Sequence, residues 1–401
     1  MAFADQTLPF ATKGYAWLPD LRRRNHGRPI PMRFGGQHAV AVSGPDAARF
    51  FYDEDELERH DALPAPVVDT LFGKGVHTLD DQAHAARKAL FVALLMHQDG
   101  IDTLAALTGK IFDEAADGWR GGKPVSLFDG TAKVLADAVS RWTGVPENAF
   151  DLDALTADLL AMVDGFATRG PRHVRARVAR VRLERRFAEI IEAVRRQEPT
   201  DTPLSRIAHH REDGHLLDAR TAAVELINII RPTTAVTWFV AFAGHALDRW
   251  PGTRARLRAG DDEYTLAFVH ELRRFYPFAP FLGARARHDL TFQHTSIPAG
   301  ALVLLDIYGQ HHDQRVWPDP YDFRPERFLG RRVGAFELIP QGGGDPRSGH
   351  RCPGEKITVA VLGTLVQRLA KLDYYLPPQN TAIDLSRVPA RVRSGPRIVL
   401  S

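Results

Sequence analysis

The sequence predicts a mainly α-helical fold with a small β portion. Three observations predict it. From about residue 80 to residue 250, apolar side chains recur at three- and four-residue spacing. Short extended runs occur only near the N-terminus and around residues 289–306. A Pro-rich stretch and a Gly-rich loop then separate these from one last apolar helix. No internal repeat or low-complexity linker divides the 401 residues, so residues 1–401 are expected to form one large domain.

The elements follow in order. Residues 30–33 and 38–42 read as strands around Gly35-Gly36, and Ser43 offers a helix cap before 45–51. Helices are predicted at 80–96, 100–119, 132–143 and 151–167. Another, 175–196, is basic, and its charge reads as a solvated face. The segment 221–247 is apolar almost all round and should cross the middle of the protein. Glu225, Arg231, Pro232 and His245 within it argue against a transmembrane segment. A helix at 262–275 ends before Pro277 and Pro280. Strands at 289–292 and 301–306 come next. The aromatic, Pro-rich stretch 315–328, the loop 341–354 and a helix near 355–372 complete the chain.

Composition narrows the function. The 52 Lys and Arg exceed the 49 Asp and Glu by only three, too evenly mixed for a nucleic-acid partner. One cysteine, Cys352, excludes an internal disulfide and a multi-cysteine zinc site. Residues 1–15 lack the basic start and apolar core of a secretion signal. A cytoplasmic enzyme or binding protein is the expectation.

Cys352 sits in Gln341-Gly-Gly-Gly-Asp-Pro-Arg-Ser-Gly-His-Arg-Cys-Pro-Gly354, directly before a predicted helix. Helix-terminal amides, His350 and Arg351 favour a thiolate there. The three glycines let the backbone approach a large flat ligand. Taken alone, a lone cysteine is usually a buried apolar thiol. Its company changes the reading. Glu271 and Arg274 lie one turn apart on one helix face. The later Phe323-Arg324-Pro325-Glu326-Arg327-Phe328 can add another Arg to their network.

This ordered set resembles the cytochrome P450 family. The resemblance runs along nearly the whole chain. It takes in Leu63-Pro64, Leu71-Phe72-Gly73, His84 with Arg87-Lys88, Gly170-Pro171-Arg172-His173, Glu225-Leu226-Ile227-Asn228 with Arg231-Pro232, and Arg274 to Pro277. It implies the P450 fold, haem b as cofactor and the Cys352 thiolate as proximal ligand of the iron. It also implies cofactor contacts at His84, Arg87, Lys88 and His350. Thiolate donation to iron favours O–O cleavage.

Arg231 and Pro232 depart from the family's usual pattern. A buried Arg is costly without an anion, and a Pro inside a helix costs about 3 kcal/mol. Two adverse choices side by side point to function. Arg231 is suited to grip the carboxylate of an otherwise apolar ligand. Pairing with a protein carboxylate is the alternative that the sequence leaves open. An ordinary P450 monooxygenase carries an acid before the threonine of this helix. Here the residues are Ile230-Arg231-Pro232-Thr233-Thr234, and Asp345 replaces the usual Phe seven residues before Cys352.

Both departures resemble the fatty-acid peroxygenase subgroup. That resemblance implies a fatty acid and hydrogen peroxide as partners, with no obligate reductase. The substrate carboxylate, held by Arg231 beside Pro232, would act as general acid–base. Products would be 2- or 3-hydroxy acids, or terminal alkenes after decarboxylation. His77 bears on that choice, because His at this position occurs in alkene-forming members. It is expected near the iron, donating a proton and stacking with Phe72. Phe72, His77, Phe281 and Leu282 are expected to line the substrate pocket, and Phe166 the acyl channel. Arg169, a cation close by, would cap the far end of that channel or shorten it. The rival on the same fold is a conventional monooxygenase dependent on NAD(P)H and redox partners.

Overall fold

The computed structural model describes residues 4–62 and 64–400; Leu63 of the Leu63-Pro64 pair lies outside them. Within these residues, helices make up about half of the chain, short strands a small part, and turns and irregular segments the rest.

Several helices begin where a side chain satisfies an otherwise unpaired backbone N–H. Ser126 accepts from Asp129 N at the start of Leu127–Thr143. Asp151 does the same for Leu152–Gly165, and Asp261 for Asp262–Phe275. Helices Asp81–Leu95, Gln98–Gly118 and Glu355–Lys371 also lie where the apolar spacing puts them. The basic helix starts earlier than expected, as Pro171–Val194, with proline in its first turn.

The apolar run forms two helices rather than one. Ala219–Thr234 is followed, after Ala235-Val236, by Thr237–Arg249. Every residue from Ala222 to Arg231 is buried. The run is thus long and apolar enough to cross a membrane, yet nearly all of it lies inside the protein. Pro232 has no N–H to offer the Asn228 carbonyl, and the regular helix ends within a turn. Thr233 and Thr234 turn their hydroxyls back onto the Ile229 and Ile230 carbonyls, at 2.9 and 3.0 Å.

A five-stranded sheet flanks the helices. Its order is Ile30–Phe34, Gln37–Val42, Leu302–Asp306, Phe281–Ala286, Leu57–Glu58. Gln37–Val42 and Leu302–Asp306 run parallel, and the other pairs antiparallel. Alternation divides the side chains between two apolar clusters. Val40, Val42, Val303 and Leu305 enter one, while Ala39, Ala41, Leu302 and Leu304 enter the other. The second cluster is closed by Trp17 and Leu18 from Trp17–Arg24, a helix that the sequence reading did not assign. Strand Phe281–Ala286 was not expected either. Gly283 and Ala284 are weak strand formers, and the conformation of this stretch follows from pairing with Leu302–Asp306.

Glu271 and Arg274 are fully buried and joined by two hydrogen bonds of 2.8 and 2.7 Å. Arg327 Nε lies 3.1 Å from the same carboxylate. Arg274 also donates to the carbonyls of His311 and Pro320. The expected network therefore ties helix Asp262–Phe275 to the irregular segment that leads into the cysteine loop.

Candidate active site

A cavity of about 1480 Å³ lies among the central helix, the edge of the sheet and the cysteine loop. Pockets for a single small molecule run to roughly 300–1,000 Å³, so this one has room for two ligands side by side. Its lining includes Cys352, His77, His84, Lys88, His350, Arg231, Pro232, Phe72, Phe166, Phe281 and Leu282. Eleven of the twelve expected site residues are thus brought together.

Arg87 is the exception, and the expectation of a cofactor contact there is corrected. Its guanidinium binds Glu212 through Nε and Nη2 and Glu225 through Nη1. Two carboxylates already satisfy it, one of them fully buried. Arg87 joins its helix to the central helix instead of facing the cavity.

The cysteine loop is held from both sides. Cys352 N donates to the Gln341 carbonyl at 3.0 Å, and the Gln341 amide lies 3.8 Å from Sγ. Glu355 receives Arg273 on one oxygen and Arg351 on the other. Gly342 has φ +99°, and a methyl group there would lie 2.5 Å from Tyr52 Oη, so only glycine fits the turn. Burial pushes the Cys352 thiol up, while the Gly354 N–H, Lys88 and Gln341 pull it down. Binding to a metal ion removes the thiol proton outright.

Next to the sulfur, Lys88 donates to the Arg351 carbonyl. Burial lowers this ammonium to about 8. The His84 and His350 rings stack at 3.8 Å. His350 meets Glu54 through Nδ1 at 2.7 Å and the Leu79 carbonyl through Nε2 at 3.0 Å. A lone thiol facing a wide cavity, with an ammonium and imidazoles beside it, fits a haem with its iron on sulfur and its propionates near the ammonium.

Arg231 lies on the cavity wall and is 6% exposed. Its only side-chain hydrogen bond among the described residues runs from Nη2 to Asn228 Oδ1, at 3.3 Å. Nε is buried without a partner, and no described carboxylate forms an ion pair with the guanidinium. Burial, with Arg180 adding to it, pushes this group down to about 9. The central helix has one carboxylate, Glu225, and it is already engaged by Arg87 and by the Val76 N–H at 2.9 Å. The protein-carboxylate alternative for Arg231 therefore fails. Among the described residues, Asp5 is the only acid in the cavity lining.

The loop over this wall is fixed by groups that the sequence reading did not single out. Asn228 Nδ2 donates to the Phe72 carbonyl at 3.1 Å. Arg180 donates to the Leu71 and Phe72 carbonyls at 3.2 and 3.4 Å. These contacts set Phe72, whose ring packs against His77 at 4.7 Å, tilted by 32° rather than stacked as expected, and lies 5.8 Å from the Arg231 guanidinium. His77 is accessible, but to the cavity. Its depth in the fold, and then the Arg231 charge, hold its imidazole well below the usual range. The proton expected from His77 could come only from the N–H of a neutral ring. A buried Asn one turn from a buried Arg was the available signal for Asn228. Nothing in the sequence marked Arg180 among the other arginines of its helix.

The comparisons with known proteins agree with this fold. The family model "Cytochrome P450" matches residues 261–370. A solved structure of a cytochrome P450SP alpha variant is 36% identical, covers 98% of each chain and superposes with a TM-score of 0.94. A variant of cytochrome P450 OleT in complex with arachidonic acid is 34% identical, covering 100% of this chain and 98% of that one, with a TM-score of 0.95. Cytochrome P450EX alpha with myristic acid is 33% identical over the same shares, with a TM-score of 0.94. A curated relative, the putative cytochrome P450 139 of Mycobacterium tuberculosis, is 27% identical over 89% of this chain and 90% of its own length.

Proposed function

For a chain that belongs to the cytochrome P450 family, as this one does, haem is the cofactor, and we propose that the protein is a fatty-acid peroxygenase. It oxidises the α or β carbon of a fatty acid with hydrogen peroxide and without an obligate reductase. Residues 1–401 act as one haem domain, in the cytoplasm. The observation that carries the reading is Arg231: a buried guanidinium without an anion, on the wall of the cavity that holds Cys352. Two of the similar structures hold arachidonic and myristic acid, which suits an apolar chain ending in a carboxylate.

Cys352 would ligate the iron, with Lys88, His84 and His350 around the propionates. Bound there, the haem supplies the chemistry that breaks the O–O bond of peroxide and inserts oxygen into a C–H bond. The protein's own part is positioning. Arg231 binds the substrate carboxylate through a charge-assisted pair, and Asn228 fixes the guanidinium. Pro232, which faces the cavity, ends the regular helix near this point. Phe72, Phe281, Leu282 and Phe166 enclose the chain and exclude water. The wall near Arg231 lacks a free protein carboxylate. The substrate's own carboxylate therefore takes a proton from hydrogen peroxide and returns it to the oxygen that leaves as water. The overall change is RH + H2O2 → ROH + H2O. His77, neutral and against Phe72, faces the same space, and its N–H steers the outcome between hydroxylation and loss of carbon dioxide with alkene formation.

Thr233 and Thr234 bear on the rival. Both hydroxyls are turned onto helix carbonyls, and no acid precedes them, so the usual relay to dioxygen has no donor. The test is product analysis by mass spectrometry on the haem-loaded protein with a series of saturated fatty acids. Peroxide alone should give 2- or 3-hydroxy acids. Product only with NAD(P)H and redox partners would establish the monooxygenase instead.

A further inference from the structure

The cavity has a second basic pole. Arg169, Arg172, His173 and Arg387 line it together with the residues around Cys352. This pole shares no hydrogen-bond partner with Arg231. The wall that joins the two is apolar, with Val163, Phe166, Val236, Phe239, Phe278 and Val388.

Charge at this pole is out of balance. Asp164 is the one described carboxylate that pairs with it. Asp164 is shared by Arg172 at 3.0 Å, Arg391 at 3.4 Å and Arg387. Of the three guanidinium groups on this carboxylate, Arg172 and Arg387 line the cavity and leave one positive charge over there, while Arg391 lies outside the lining with Asp129 also acting on it. Burial, with Arg387 and Arg172 adding to it, pushes Arg391 down to about 10. Arg169 adds a further cation that has no hydrogen bond or ion pair among the described residues and is exposed. Helix Pro171–Val194 begins at the same place and presents the positive end of its dipole. The terminal methyl of an ordinary fatty acid gains nothing from such a surface, and it strips water from the charges it covers. A second carboxylate would gain a charge-assisted pair.

We propose that the substrates include α,ω-dicarboxylic acids, with one carboxylate on Arg231 and the other on Arg169, in the field of Arg172 and Arg387. This rests on the role given to Arg231 above and adds the far end of the chain to it. The reaction itself is unchanged, since hydrogen peroxide oxidises the carbon beside the end held at Arg231.

The test is calorimetric titration of the haem-loaded protein with diacids and monoacids of matched length, from twelve to eighteen carbons. At the length that spans the cavity, the diacid should bind at least about tenfold more tightly than the monoacid. Arg169→Leu should reduce that ratio by about tenfold, and Arg169→Glu should invert it. Arg169 is exposed, so neither change threatens the fold. A ratio near one at every length, or a ratio that Arg169→Leu leaves intact, overturns the inference. Monoacids that bind the native protein but not Arg231→Met, with no diacid advantage, would sink this inference alone. Monoacids that bind both proteins alike would sink the role of Arg231 as well.

Discussion

Asn228 accepts a hydrogen bond from Arg231 through Oδ1 at 3.3 Å, one helical turn away. From Nδ2 the same side chain reaches the Phe72 carbonyl at 3.1 Å. One amide thus sets the direction of the guanidinium and the position of the loop above it.

Asn228→Leu removes both bonds, and a third of 3.3 Å from Nδ2 to the Glu225 carboxylate, at nearly constant volume. A hydrogen bond to a charged partner contributes about 1.5–3 kcal/mol. The KM for fatty acid should rise roughly ten- to a hundredfold, with a smaller change in kcat. Steady-state kinetics with peroxide at saturation reads this directly. A drop in kcat alone would place Asn228 outside substrate binding.

Arg231→Met should lower peroxide-driven oxidation at least about a thousandfold, because it removes the group that places the acid–base carboxylate. It should also stabilise the protein without substrate by about 1–3 kcal/mol, since an uncompensated buried charge gives way to a packed side chain. Thermal unfolding without fatty acid measures the second effect. A fall in Tm would mean that the charge has a structural partner.

Gly73 has φ +66°, and a methyl group there would lie 1.9 Å from Arg180 Nη2. Gly73→Ala should therefore strain the backbone and displace Arg180 from the Leu71 and Phe72 carbonyls. A loss of about 2–4 kcal/mol is expected in urea unfolding, together with weaker fatty-acid binding.

Acid should destabilise the protein through its buried histidines. His312 donates from Nδ1 to the Tyr308 carbonyl at 2.9 Å, and burial, then Arg274, lowers it to about 3. The unfolded chain takes up a proton near pH 6.5 and the folded chain only near pH 3. The stabilisation from this neutral ring is complete above pH 6.5 and falls away as the pH drops toward 3. A shift of this size corresponds to an effect on the order of 5 kcal/mol. His312→Phe keeps the aromatic contacts with Tyr308 and Tyr321. It should flatten the fall in Tm between pH 6.5 and pH 4.5 in calorimetry, and an unchanged slope would count against it.

His77→Gln should lower the share of alkene among the products wherever alkene is formed. The hydroxylated share should persist, because Arg231 and Phe72 stay in place. An unchanged product ratio by gas chromatography would remove His77 from that role.

Much of this was legible in the sequence. Apolar spacing located the long helices because burial on one face is what makes them helical. The Glu271–Arg274 pair, the cysteine loop and Arg231 stood out because each sets charge or glycine where packing alone would not. What escaped was fixed by contact. Strand Phe281–Ala286 depends on its neighbour, and Trp17–Arg24 on the sheet it covers. Arg87 looked like a cofactor ligand beside His84 and Lys88. The two acids that claim it, Glu212 and Glu225, lie more than a hundred residues further along.

The engagement of Glu225 has a further consequence. Without a guest acid, the chamber wall near Arg231 offers no carboxylate to shuttle the protons of peroxide. A resting molecule should therefore leave its oxidant untouched, sparing its own aromatic lining from burn-off between turnovers. Arrival of the guest would be the trigger as well as the feedstock.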